Sequence, residues 1–108
     1  MYTVDFMMAV VLVIEALESR LPECEDEEER RRILKTVARL DGWLERCLSA
    51  RFAGRDEWVN KARSRLDKAM KKVAGHSPGS ERLQEVLAEI SGVLTGLDSW
   101  WSALTDGP

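Results

Sequence analysis

Residues 83–104 of this 108-residue chain read LQEVLAEISGVLTGLDSWWSAL, and they carry the clearest structural signal in the sequence. Its large apolar side chains recur at alternating spacings of four and three residues; they are Leu83, Leu87, Ile90, Leu94, Leu97, Trp101 and Leu104. This alternation is typical of a helix that packs against other helices at a small crossing angle. The sequence therefore predicts a long, core-facing helix that starts at Ser80, the residue placed to cap it.

Three more helical segments precede this one. Between Ile33 and Cys47 the apolar residues repeat at four and three, and Asp56 is placed to cap a helix whose apolar seam begins at Val59. The predicted helices cover about residues 3–21, 24–53, 56–74 and 80–105. Four apolar seams joined by short links predict an all-α, antiparallel four-helix bundle, a single domain over residues 1–108. A homodimer is the simplest way for such a bundle to cover any surplus apolar surface.

The first helix carries such a surplus, because residues 6–14 (FMMAVVLVI) are apolar without a break. A transmembrane helix needs about 20 apolar residues, and a signal peptide would carry basic residues where this chain has Asp5. We therefore expect neither a membrane span nor secretion. A helix that is apolar on all sides needs cover on two of them. It is either the central helix of the bundle or a contact with another chain.

Charge is distributed unevenly along the chain, although the net charge is only −3. Residues 1–29 hold nine acids and one base, residues 30–75 hold five acids and fourteen bases, and residues 76–108 hold five acids and one base. The segment charges are thus −8, +9 and −4. A basic middle segment indicates either an anionic partner or a basic pair of helices packed between two acidic ones.

The bases of the middle segment fall into two stripes at helical spacing. They are Arg32, Lys35, Arg39 and Arg46 on the second helix, and Lys61, Arg65, Lys68 and Lys72 on the third. Two such stripes side by side would follow a phosphate backbone without reading its sequence. Local acids such as Glu57, four residues before Lys61, favour a solvated or intrabundle face instead. Trp43 and Trp58 flank this region, and we expect both in the core.

The last helix carries a ridge of small residues, Ala88, Gly92 and Gly96, that leads to Trp100. Each glycine inside a helix costs about 1 kcal/mol relative to alanine, so a backbone or a large ring should come close to it. Packing inside the monomer, against Phe52 or a tryptophan, is one interpretation, and a groove for a partner is the other. The predicted partner or self interface comprises Met7, Met8, Val11, Ala88, Gly92, Gly96 and Trp100.

Catalytic and metal-binding patterns are not recognisable in the sequence. Cys24 and Cys47 form no CxxC motif, and His76 fits the negative end of a helix without a catalytic role. The pair Glu25 and Glu28 lacks a second acidic pair on another helix, as a bundle metal site would require. We expect no enzyme activity, no cofactor and no metal, and the unpaired cysteines favour the cytoplasm.

The sequence thus predicts a non-enzymatic helical protein-interaction module, such as an adaptor, assembly factor, inhibitor or immunity-type partner. Self-association through the first helix, the glycine ridge or both is expected, since methionine is common on adaptable binding surfaces. The alternative is a nucleic-acid-associated protein that uses the two basic stripes.

Overall fold

The computed structural model describes residues 2–49, 51–52, 56–75 and 81–106. The helices are α1 (Tyr2–Glu18), α2 (Glu27–Arg46), α3 (Glu57–Ala74) and α4 (Glu81–Asp106). A single turn of 3-10 helix follows α1, and no strand occurs within the described ranges. The predicted all-α four-helix fold is confirmed.

The four helices occupy the corners of a square in which α1 and α4 are diagonal. Helix α1 packs against α2 and α3, and α4 packs against the same two helices. Arg20, just after α1, donates a hydrogen bond to the carbonyl oxygen of Val73 near the end of α3, so these two helices finish together. Phe6 near the start of α1 meets Trp43 near the end of α2. Consecutive helices are therefore antiparallel, whereas the adjacent pairs α1/α3 and α2/α4 run parallel.

Helix α2 is shorter than predicted. It begins at Glu27 because the Asp26 carboxylate caps it, accepting a hydrogen bond from the backbone N–H of Glu28 at 3.0 Å. It ends at Arg46, where amides donate to carbonyls three residues back and the chain tightens into turns. The prediction of one helix over residues 24–53 was therefore wrong at both ends.

The other helix limits follow the same local rules. Helix α1 ends at Glu18, three residues before the predicted end, and Pro22 lies in the 3-10 turn that follows. Asp56 caps α3 as predicted, because its carboxylate accepts a hydrogen bond from the N–H of Trp58 at 2.8 Å. Helices α3 and α4 agree with their predicted ranges to within one residue at each end. Ser80, the predicted cap, and His76, predicted at the negative end of the third helix, lie outside the described residues.

An aromatic cluster joins three helices at one end of the bundle. It comprises Phe6, Trp43, Phe52, Trp100 and Trp101, with contacting ring centroids 5.3 to 6.5 Å apart. Trp43 lies at its centre, is only 1% exposed, and touches rings from α1 and α4. The guanidinium of Arg46 covers the Trp43 ring at 4.6 Å from the centroid. This cluster locks α1, α2 and α4 together.

Truncating Trp43 should therefore be among the most damaging single changes. We expect Trp43→Ala to lower the free energy of unfolding by about 3–5 kcal/mol, because it removes a large buried ring and leaves a cavity. Urea unfolding followed by circular dichroism measures this change. Leu48→Ala, at a side chain that is 78% exposed, is the control and should change stability by less than about 0.5 kcal/mol. Equal losses in the two variants would contradict the central role of Trp43.

Candidate protein-binding surfaces

The side of α1 that faces away from the bundle carries a line of apolar side chains. Val4, Met8 and Leu12 lie four residues apart and are 62%, 57% and 37% exposed. We call these three residues the outer stripe. Of the predicted interface residues on this helix, Met8 lies within the stripe, while Met7 and Val11 are half-buried. The stripe is uncovered because α1 packs mainly against α2 and α3, and both of these helices lie on its other side.

Acidic side chains accompany the outer stripe. Asp5, Glu15 and Glu18 are all exposed on α1. The base nearest in sequence, Arg20, is turned toward the end of α3, where its guanidinium donates hydrogen bonds to two backbone carbonyl oxygens at 2.8 Å. The exposed side of α1 is therefore both apolar and acidic.

The small-residue ridge on α4 does not form one flat patch. Residues four apart on a helix advance by about 40° around its axis, so the ridge winds across α4. Ala88 lies beside α2, whereas Gly92 and Gly96 lie beside α3. Trp100 is half-buried and stacks on Trp43, so it belongs to the aromatic cluster. The four predicted interface residues on α4 thus divide among three places.

Gly96 is explained by close packing inside the monomer. A Cβ at this position would lie 2.9 Å from Cζ2 of Trp58, closer than real Cβ contacts allow. The Trp58 indole N–H also donates a hydrogen bond to the Gly96 carbonyl oxygen at 3.1 Å. The ring that approaches is therefore Trp58 from α3, which lies outside the core at 41% exposure. The expected core position was right for Trp43 and wrong for Trp58.

Gly92 has no such neighbour. A Cβ there would meet nothing within 4 Å, and the residue is exposed. It lies in an open groove between α3 and α4, which we call the α3–α4 groove. The groove is lined by Trp58, Lys61, Ala62, Arg65, Lys68 and Lys72 from α3 and by Glu89, Ile90, Gly92, Val93 and Gly96 from α4. Its larger hollow measures about 430 Å³.

The two glycines should respond in opposite ways to an added methyl group. We expect Gly92→Ala to raise the free energy of unfolding by about 0.5–1 kcal/mol, because alanine favours the helix and the space is open. Gly96→Ala should lower it, because the Trp58 ring must move and lose its hydrogen bond. Chemical denaturation measures both changes. In a Trp58→Ala background Gly96→Ala should become stabilising, and a persistent loss there would contradict this explanation.

The basic stripe of α2 is engaged with α4. The guanidinium groups of Arg39 and Arg46 lie 3.2 and 3.1 Å from the Asp98 carboxylate, and Arg32 donates to the Gln84 side-chain oxygen at 3.0 Å. These contacts match the intrabundle interpretation of the stripe. Lys35 is exposed beside the same contact.

The basic stripe of α3 is only partly engaged. Lys61 lies 3.6 Å from Glu57, and Lys72 lies 3.3 Å from Glu89. Arg65 and Lys68 are exposed and make no ion pair or hydrogen bond with the residues that the structure describes. The stripes of α2 and α3 do not lie side by side, because α4 stands between these diagonal helices. A phosphate track shared by both stripes would need them side by side.

The two cysteines are unpaired and buried. Burial raises the pKa of the Cys47 thiol to about 12, and Cys47 packs within the core as its place in the apolar seam predicts. The Cys24 thiol donates a weak hydrogen bond to the Asp26 carbonyl oxygen at 3.4 Å. The buried position of Cys47 therefore does not favour a thiolate nucleophile.

The raised pKa of Cys47 makes stability depend on alkaline pH. The unfolded thiol ionises near its ordinary pKa of 9.0, whereas the folded thiol stays neutral to about 12. The contribution to stability is thus complete below the ordinary pKa and is lost progressively above it, by about 1–2 kcal/mol at pH 10. Urea unfolding of native protein and of Cys47→Ala at pH 8 and pH 10 measures the pH-dependent contribution of Cys47 to the free energy of unfolding. The same pH dependence in both proteins would contradict it.

Metal-ligand clusters and membrane-spanning helices are both absent from the described residues. No group of three or more His, Cys, Asp or Glu side chains is arranged there to hold a metal ion. None of the helices, over the part of the chain that the structure describes, is long and apolar enough to cross a membrane.

Comparisons with protein families, with functionally characterised proteins and with solved structures found no significant match for this chain. Its function must therefore be inferred from its own surfaces. The outer stripe carries exposed apolar side chains, and the α3–α4 groove carries two exposed cations without an acidic partner among the described residues.

Proposed function

We propose that this protein is a non-enzymatic helical interaction module that binds another protein chain through the outer stripe of α1, in the simplest case a second copy of itself. Adaptor, assembly factor, inhibitor and immunity-type partner are roles that fit such a module. The observation that carries the proposal is the exposure of Val4, Met8 and Leu12 along one line.

The energetics of the outer stripe support a binding role. Burying apolar surface contributes about 25 cal/mol per Å², so covering half-exposed side chains of this size contributes about 1 kcal/mol each. Within the monomer that contribution is not realised, and polar residues at these positions would serve the monomer equally well. Aligned exposed apolar residues are typical of surfaces that meet another molecule, and methionine adapts to irregular partners.

The cysteines bear on where this module acts. Cys24 and Cys47 are free thiols within a chain of only two cysteines. Reduced thiols are the rule in the cytoplasm, where disulfides rarely persist. We therefore propose a cytoplasmic protein.

A nucleic-acid-associated protein is the second candidate, and the exposed cations Arg65 and Lys68 favour it. Two observations weigh against it. Arg39 and Arg46 are held by Asp98, and the remaining cations lie on the far side of α4 from that stripe. A continuous phosphate-binding track over both helices is therefore not available.

Light scattering coupled to size-exclusion chromatography tests the proposal. We expect native protein to show reversible, concentration-dependent self-association, and Met8→Glu to be monomeric because a buried carboxylate would lose its hydration. Leu104→Glu is the matched control, since Leu104 is 43% exposed on the diagonal helix α4. It should associate like native protein. The ratio of absorbance at 260 and 280 nm is recorded in each run.

The opposite results separate the alternatives. A native protein that stays monomeric at every concentration contradicts self-association. In that case, affinity capture with native, Met8→Glu and Leu104→Glu baits decides the broader proposal. A protein bound stoichiometrically by native and Leu104→Glu but not by Met8→Glu supports the stripe, and equal capture by all three refutes it. Bound nucleic acid that high salt removes would favour the second candidate.

A further inference from the structure

We propose that the α3–α4 groove is the surface that receives the outer stripe, so that α1 of one copy docks into the groove of another copy. This inference rests on the proposed function and adds the receiving surface and the chemistry of recognition.

The groove offers an apolar floor. Gly92 and the edge of the nearly buried Val93 from α4 form it, with the fully buried Ile90 beneath, and the half-exposed indole of Trp58 lies at one end. Trp58 is held in place by its hydrogen bond to Gly96. A fixed, amphipathic ring beside an apolar hollow is a typical anchor point in protein interfaces.

Gly92 suits the close approach of a partner. It is a mid-helix glycine whose cost of about 1 kcal/mol nothing inside the monomer explains, because a Cβ there would meet only open space. Because Gly92 has no side chain, a side chain as large as Met8 from a second copy, or the backbone of its helix, can approach this position closely. Gly96, by contrast, is already used by Trp58.

The wall of the groove carries uncompensated positive charge. Lys61 and Lys72 are paired with Glu57 and Glu89. Arg65 and Lys68 lie between these two lysines on α3. Both are exposed, and neither has an acidic partner among the described residues. The groove therefore combines an apolar floor with two available cations.

The exposed side of α1 has the complementary composition. Its apolar outer stripe is accompanied by the carboxylates of Asp5, Glu15 and Glu18. A symmetric contact between two α1 helices would bring these acids together, and like charges across an interface oppose association. Docking in the groove instead brings Glu15 near Arg65 and Lys68, and places Asp5 and Glu18 near the two ends of the same basic stripe.

The two surfaces also match in length. Fourteen residue steps separate Val4 from Glu18, and fourteen separate Trp58 from Lys72, each about 21 Å along a helix. Docked parallel to α3 with Val4 level with Trp58, the outer stripe meets Trp58 and Gly92. Glu15 then lies near Lys68, Glu18 lies near Lys72, and Asp5 lies nearest to Lys61. This footprint is at the small end for a specific interface, so association should be weak and concentration-dependent.

The symmetry of this contact differs from that of a simple dimer. The stripe on α1 and the groove between α3 and α4 lie on different sides of the same copy. One copy can therefore use both surfaces at once, which builds a ring or an open chain. Because opposite charges contribute, raising the salt concentration should weaken it.

Charge reversal tests the pairing directly. The stripe variant carries Asp5→Lys, Glu15→Lys and Glu18→Lys, and the groove variant carries Arg65→Glu and Lys68→Glu. At low salt, each alone should remain monomeric in sedimentation velocity at concentrations where native protein associates. An equimolar mixture should associate, and so should a single chain with all five substitutions. All five positions are exposed, and circular dichroism checks the fold.

A matched control reverses two exposed cations elsewhere. Arg31→Glu with Lys35→Glu makes the same charge change on α2 and should leave association intact. Native-like association of the groove variant, or a mixture that stays monomeric, overturns the pairing. If Met8→Glu still abolishes association while the groove variant does not, the groove is wrong and the proposed function stands. If Met8→Glu also associates like native protein, both fail.

Discussion

A helix at the corner of a four-helix bundle is covered on two sides only, and this geometric limit governs the molecule. Helix α1 packs against α2 and α3, and its apolar run supplies core residues such as Phe6 and Val13 to those contacts. A helix with a polar outer side would need no contact beyond these two neighbours. In α1 the apolar composition continues around the axis, so Met8 and its neighbours in the outer stripe remain in solvent. These exposed apolar side chains are the surface through which we propose that the protein binds another chain.

Charge placement in this bundle determines which surfaces remain available. Asp98 on α4 pairs with both Arg39 and Arg46 of α2, although such half-exposed pairs contribute at most about 1 kcal/mol to stability. Their larger effect is on recognition, because this carboxylate offsets part of the positive charge of the stripe, while Arg32 and Lys35 stay exposed. Arg65 and Lys68 lie on the other side of α4 and keep their charge beside an apolar floor. An acidic, apolar helix is the kind of partner that this combination selects.

Periodicity and capping predicted the type of each element, and they did so because both are local properties. The spacing from Leu83 onward predicted α4, and the Asp56 cap predicted the start of α3. Neither indicates which helices are neighbours. Hence the spacing of the basic residues could not show whether the two stripes lie side by side, and in the structure α4 separates them. The end of α2 was missed for a related reason. The apolar spacing runs to Cys47, the last residue whose N–H donates to the carbonyl four residues back, and gives no sign that the next amides donate only three residues back.

The candidate site was only half predictable for the same reason. A glycine ridge is visible in the sequence, but whether a ring fills the space above it depends on a residue from another helix. Trp58 fills that space at Gly96 and leaves Gly92 open. The exposure of Met8 could be expected from an all-apolar helix, whereas the placement of Arg65 beside Gly92 could not.

The most direct measurement follows the ε-methyl group of Met8 by carbon-13 NMR as the protein is concentrated. Met70 on α3, which packs against the core, is the internal reference. If a second copy covers the outer stripe, the Met8 resonance shifts or broadens with concentration and recovers in high salt, while Met70 does not change. A Met8 resonance that is unaffected from dilute to concentrated protein would contradict the proposal that this surface binds another copy.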